Sequence, residues 1–423
     1  MEHNKIMLVY DNNEILLVNL DNERCENKFE DSIKDKEKKI YMLNNGNFIV
    51  LNANRKIISQ YLSAKNAPIY TKFVRVHLNV IKLTKNEKII FGGDKIGNIY
   101  VWSSISGFLI NSFQAHFGAV KDVLIDQILN VIYTYSDDNI IHVYNFNDVL
   151  RKKKIKPMLL YQHTINASIR QIISVTPNIY HTYYTLISLA SNGNLHIFGL
   201  KSKKAVHILK TKTEHCTYIC SNEPFNTHLY VCKGNKIFRI PFVEFSKNSE
   251  NNMKDIKNRE DIKLKEYGDY VQIIKKKNED KFSNFKENEI SKNDNENESY
   301  LNLKDFTVFL GHKNEVIKCY VNNKKQVMIS LAKDGIRIWD IFNCYTIKTL
   351  KYGENIIDFY VPTIKTLSYL IEFPNLALEY EDDAKISIIN EIKQNDCYIN
   401  YRLFLDEENT LINMANMFAA YGL

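Results

Sequence analysis

Glycine is scarce in this chain, with 14 among 423 residues. Sharp turns must therefore often fall to Asn and Asp, the other residues that tolerate left-handed backbone. No apolar run approaches the roughly 18 residues that span a bilayer. The opening Met1-Glu2-His3-Asn4-Lys5 lacks the apolar core of a signal peptide. Both absences argue against a secreted or membrane protein. The seven cysteines are odd in number and scattered, which reads as reduced thiols in a cytosolic or nuclear compartment. Catalytic signatures are missing too. No Ser stands in a Gly-x-Ser-x-Gly setting, and neither a phosphate loop nor a dinucleotide glycine pattern occurs. Gly92-Gly93-x-x-x-Gly97 reads as strand–turn–strand, not strand–turn–helix. An enzyme is not expected, nor a cofactor.

What is present is a globular composition, 45% hydrophobic and 25% charged, with a net charge of +7. The mild basicity is compatible with an RNA-rich neighbourhood. Short apolar stretches dominate, among them Ile89-Ile90-Phe91, Ile99-Tyr100-Val101-Trp102, Val131-Ile132-Tyr133 and Ile141-His142-Val143-Tyr144. They are rich in the β-branched and aromatic residues that strands favour.

A period organises them. A small residue, a turn and an alternating strand ending in a bulky residue recur, with the bulky positions at Val18, Tyr61, Trp102, Tyr144, Phe198, Ile240 and Trp339. The steps are 43, 41, 42, 54, 42 and 99, and the last falls to 40 once the 59 residues of 246–304 are set aside. A repeat of about 40–45 residues with four strands per unit marks an all-β WD-repeat β-propeller. Seven positions point to seven blades over residues 1–375, with weak units leaving six or eight open.

Two units carry the motif well. One has His116, then Ser136 and Asp138, then Tyr144; the other has His312, then Ser330 and Asp334, then Trp339. The logic is a buried polar chain in which Asp accepts from His, His bonds Ser, and Ser reaches the Trp ring nitrogen. Tyr144 departs by replacing Trp. His116, Ser136 and Asp138 resemble a hydrolase triad on paper, but the structural chain uses the same residue types and is the preferred reading.

Closure is also readable. The N-terminal unit around Ile6–Leu20 has room for two strands, and Asn355–Val361 and Leu367–Phe373 offer two more, so chain start and chain end should complete one last blade and remove an open sheet edge. Residues 246–304 hold 13 basic and 13 acidic residues and many Asn. They should form a disordered loop between blades five and six, counting the closing blade last. In the tail, 376–423, acidic Asp406-Glu407-Glu408 suits a helix start, and a helix over about 406–420 would place Leu411, Ala415 and Phe418, with Met417 alongside, at helical spacing. That face packs either on the propeller or in a partner.

Other candidates weigh less. His215, Cys216, Cys220 and Cys232 invite a metal reading, but their spacing fits no strong zinc template and buried thiols on strands explain them. The run Arg151, Lys152, Lys153, Lys154 and Lys156 suits nuclear import or phosphate contact, or a merely solvated face.

Phe91–Trp102, with Gln114-Ala115-His116, Ser136-Asp137-Asp138 and Val143-Tyr144, resembles blades two and three of one group of propellers. So does Phe309–Val316, followed by Ile338-Trp339-Asp340 and Cys344–Leu350. The group is the WD-repeat subunit of the Rix-type complex, or rixosome, of large-ribosomal-subunit assembly. The resemblance implies a non-catalytic scaffold in the nucleus, in nucleolus or nucleoplasm. It would act in rRNA processing, bind a helical-repeat subunit, often in two copies, and ride on pre-ribosomal particles with indirect or weak RNA contact. An accessory subunit of a tRNA guanine methyltransferase, or a generic adaptor, stays open beside it.

Overall fold

The computed structural model describes residues 5–378 except 13, 30–37, 128, 152–155, 176–183, 200–206, 210–215, 223–226, 243–297, 300–305, 353–354 and 363–371. Seven sheets follow one another along the chain, each built on four antiparallel strands. The N-terminal strands are β1 (Lys5–Tyr10), β2 (Ile15–Asn19) and β3 (Cys25–Phe29). Blade 1 is β4 (Lys38–Met42) to β7 (Tyr70–Phe73), and blade 2 is β8 (Leu78–Leu83) to β11 (Leu109–Gln114). Blade 3 is β12 (Val120–Asp126) to β15 (Leu159–Thr164), and blade 4 is β16 (Ile169–Ser174) to β19 (His207–Leu209). Blade 5 joins β20 (Cys216–Ser221), β21 (His228–Lys233) and β22 (Lys236–Pro241) to β24 (Thr307–Phe309), and blade 6 is β25 (Val316–Asn322) to β28 (Thr346–Leu350). This is a seven-bladed β-propeller, with one short helix, α1 (Phe146–Val149), among the described residues.

The burial pattern explains the strand sequences. Second strands such as β5 (Phe48–Asn52), β9 (Ile89–Asp94) and β13 (Val131–Ser136) are buried along their whole length, because each blade is covered on both faces. Outer strands face solvent on one side and alternate, as β7 and β28 do. Seven apolar clusters fill the seams. Val101 and Phe91 meet Val120 and Val123 between blades 2 and 3, and Met7 and Leu17 meet Ile40 and Phe48 where the last blade meets the first. All seven bulky positions lie on third strands.

Closure differs in its arithmetic from the sequence expectation. The N-terminus gives three strands, not two, and the far end gives one, β29 (Ile356–Tyr360), which pairs with β1 as the innermost strand of blade 7. Cys25–Phe29 reads poorly as a strand because it is an outer edge, exposed for most of its length. The segment 367–371 lies outside the described residues, and Phe373 is not in a strand. The insertion is also relocated. It falls inside blade 5, between β22 and β24, because Thr307–Phe309 pairs with β22. Within it, β23 (Glu298–Ser299) pairs parallel to β19, so these two residues are strand; the rest of 246–304 lies outside the described residues.

The scarce glycines are replaced in an unexpected way. Left-handed backbone falls on Glu23, Lys56, Glu87, Gln326 and Cys344 as well as Asn130 and Asn139. Asparagine serves the turns more by its side chain: Asn12, Asn22, Asn86 and Asn192 each accept a backbone N–H two residues on.

Candidate functional site

The loop before β25 brings His312 against the turn between β26 (Val327–Ala332) and β27 (Gly335–Asp340). The turn is tight because Gly335 has φ +119°, and a Cβ there would meet the Leu350 carbonyl at 2.5 Å. The Trp339 indole N–H donates to Ser330 Oγ at 2.7 Å, Ser330 lies 2.6 Å from His312 Nε2, and His312 Nδ1 lies 2.9 Å from Asp334. Asp334 also accepts the Lys313 N–H at 3.1 Å. Burial lowers the His312 pKa, so the ring is neutral and carries its proton on the nitrogen facing Asp334. Burial alone would raise Asp334, but the Lys313 N–H and His312 more than offset it and lower its pKa.

This is a Ser–His–Asp arrangement with hydrolase-like distances, and its burial decides its meaning. Ser330 is 0% exposed and its oxygen already accepts from Trp339. A nucleophile must meet its substrate, and this one meets only its own core.

Blade 3 repeats the scheme with a change. His116 Nδ1 lies 3.0 Å from Asp138 and Nε2 lies 2.9 Å from Thr134 Oγ1. Ser136 is not in that chain; its hydroxyl accepts the Asp138 N–H at 3.3 Å instead. The reason is register. The third-strand residue Tyr144 pairs with Ile132, which puts Thr134 where Trp339, paired with Met328, puts Ser330. Tyr144 does not join the chain either, its hydroxyl lying 3.3 Å from His142 Nδ1. The His116 and His142 rings stack at 4.4 Å. Burial, reinforced by His116, pushes the His142 pKa down to about 4.

Blade 2 holds the other tryptophan but no serine at the place of Ser330. Gly92 occupies the corresponding place, and a Cβ on it would lie 2.7 Å from the Trp102 ring. The Trp102 N–H donates instead to the carbonyl of Ala377, at 2.7 Å. Residues 372–378 form a strap across blades 1 and 2. The Phe373 N–H donates to Gln60, the Ala377 N–H to the Gly107 carbonyl, and Lys72 pairs with Glu372 at 2.6 Å. Phe373 and Leu376 bury their side chains in the seam. Sequence reasoning missed this strap, since its apolar residues follow no strand or helix period.

The remaining candidates sort as follows. Cys220 lies 3.1 Å from Cys319 of blade 6, and Cys232 lies 3.4 Å from the same sulfur. Burial raises Cys216 to about 11. His215 lies outside the described residues. Among the described residues no group of three His, Cys, Asp or Glu side chains could hold a metal ion. Arg151 is exposed and pairs with Asp148 at 3.3 Å; Lys156 is exposed, and Lys152, Lys153 and Lys154 lie outside the described residues. So do Leu411, Ala415, Met417 and Phe418 with their helix. No helix among the described residues is long and apolar enough to cross a membrane.

No family model and no curated protein matches the sequence. Solved structures do match. A computationally designed protein, Ika8, aligns with 84% of this chain and 86% of its own at a TM-score of 0.50 and 10% identity. That likeness shows the fold alone, and a fold shared with 1623 matching chains does not select a function.

Proposed function

We propose that this propeller is a non-catalytic scaffold subunit of a nuclear pre-ribosome assembly complex, acting in large-subunit rRNA maturation. One observation carries the scaffold part: the polar constellations with catalytic appearance, at His312 and His116, are buried and bonded to their own core. What the fold offers outward is turn and edge surface, which suits binding and not turnover. The ribosomal part is supported by the resemblance of Phe91–Tyr144 and Phe309–Leu350 to the Rix-type WD subunit. A helical-repeat subunit is the expected partner. Affinity purification of the full chain from its native cells, followed by mass spectrometry, tests the proposal. Pre-ribosomal proteins and a helical-repeat subunit should co-purify. Recovery of a methyltransferase without pre-ribosomal proteins would overturn it.

A further inference from the structure

In each blade the turn between second and third strands and the connection to the next blade lie at the same end of the ring. On blades 1 to 4 this end is lined by exposed cations. Arg55 sits on a turn of blade 1, Arg75 on the connection to blade 2, Lys95 on the blade 2 turn, and Arg170 on the first strand of blade 4. Lys121 enters blade 3 from the same rim. The carboxylates are handled differently. Asp94 is 2% exposed and accepts the N–H groups of Ile96 and Asn98, while Asp138 is tied to His116. Among the described residues on these turns, Asp137 is the one exposed carboxylate, and it pairs with Lys121 at 2.9 Å. The polar chains thus draw acids inward and leave bases outward.

An aromatic ring stands in the middle of this field. Phe117 is 92% exposed, on the connection between blades 2 and 3. Its backbone is held: its N–H donates to Asp138 at 3.3 Å, and the His116 N–H before it donates to the Gly97 carbonyl at 3.0 Å. Ile96, on the adjoining turn, is 69% exposed. A solvent-exposed aromatic on a rim of cations is the arrangement that binds single strands. Phosphates meet the cations, and a base stacks on the ring. An acidic protein surface is the competing occupant, and the experiment below separates the two.

We infer that this end of blades 1 to 4 binds single-stranded RNA, with Phe117 as the stacking platform and Arg75, Lys95, Lys121 and Arg170 as phosphate contacts. The choice of RNA over DNA rests on the ribosome-assembly reading; the binding of a single-stranded polyanion rests on the surface alone.

Fluorescence anisotropy with a labelled oligo-uridine RNA and the full chain tests it. Phe117→Ala should weaken binding about tenfold at unchanged melting temperature. Lys95→Ala should weaken binding and reduce the slope of log affinity against log salt by about 0.7. Lys324→Ala with Lys325→Ala, on exposed turn residues at the opposite end, should leave binding unchanged. Binding undiminished in Phe117→Ala, together with displacement of the RNA by poly-glutamate at equal charge, would overturn the inference and make the occupant an acidic protein. Oligo-deoxythymidine held more tightly than the RNA would overturn the choice of RNA. The purification experiment is read separately. Absence of RNA binding by the unaltered chain, with pre-ribosomal proteins still co-purifying, counts against this face and leaves the scaffold reading standing.

Discussion

Blades 2 and 6 each bury a tryptophan at the same place, and each satisfies its indole N–H at 2.7 Å, yet by different means. In blade 6 the acceptor is Ser330, nine residues away on the neighbouring strand and linked onward to His312 and Asp334. In blade 2 the serine is absent, Gly92 leaves room only for the ring, and the acceptor is a carbonyl 275 residues further on. A buried donor must be paired, because an unpaired one costs about 1–3 kcal/mol. The fold therefore tolerates loss of the local motif where a distant segment supplies an acceptor. Blade 6 is self-contained, whereas blade 2 depends on the strap.

The largest expected effect breaks that dependence. Phe373 is 1% exposed in the seam of blades 1 and 2. Phe373→Ala should destabilise by about 3 kcal/mol through lost burial and cavity formation. It should also make the strap a preferred site of limited proteolysis, with blade 6 unaffected. Chemical denaturation with mass mapping of early cleavage sites checks both. Equal early cleavage at blades 2 and 6 would contradict the contrast.

Next in size is the chain in blade 6. Asp334→Ala should cost roughly 1–3 kcal/mol by leaving the His312 N–H unpaired. The double variant with His312→Ala should cost less than the two single losses together, because both residues serve one network. The pH dependence has a definite sign. Burial lowers the His312 pKa in the folded chain, so the unfolded chain takes the proton first as pH falls. This contribution is complete above about pH 6.5 and declines as pH drops through the folded value. Asp334, also lowered, loses its contribution only below about pH 3.9. Denaturation at pH 7.5 and pH 5 should show the full chain weakening at the lower pH, and His312→Ala weakening less.

The same contrast explains what could be read in advance. Ring and blade count were legible because each third strand ends on a bulky residue that fills a seam, from Val18 to Trp339, and burial enforces that spacing seven times. The His312 constellation was legible because its members all sit within 30 residues of sequence and recur at blade spacing. The strap was not, because nothing local marks Ala377 as the partner of Trp102. The position of the insertion was missed for a similar reason: Thr307–Phe309 is short, and only its pairing with β22 assigns it to blade 5.

The smallest expected effect concerns Ser136 against Thr134, two residues apart on β13 and facing the same side of the strand. Sequence alone cannot choose between them, since both offer a hydroxyl near His116. The register chooses Thr134, whose hydroxyl lies 2.9 Å from His116 Nε2, and leaves Ser136 with one long bond of 3.3 Å from the Asp138 N–H. Thr134→Val keeps the shape and removes the hydroxyl, so the neutral His116 ring is left with a buried nitrogen lone pair unpaired, at about 1–2 kcal/mol. Ser136→Ala removes only the long bond and should cost about 0.5 kcal/mol. Because Tyr144 takes no part in the chain, Tyr144→Phe should leave the difference between the two variants unchanged. Chemical denaturation of the two single variants, each made with Tyr144 and with Phe at that position, measures this directly. A larger loss from Ser136→Ala than from Thr134→Val would mean that the histidine of blade 3 selects its partner by motif position and not by strand register.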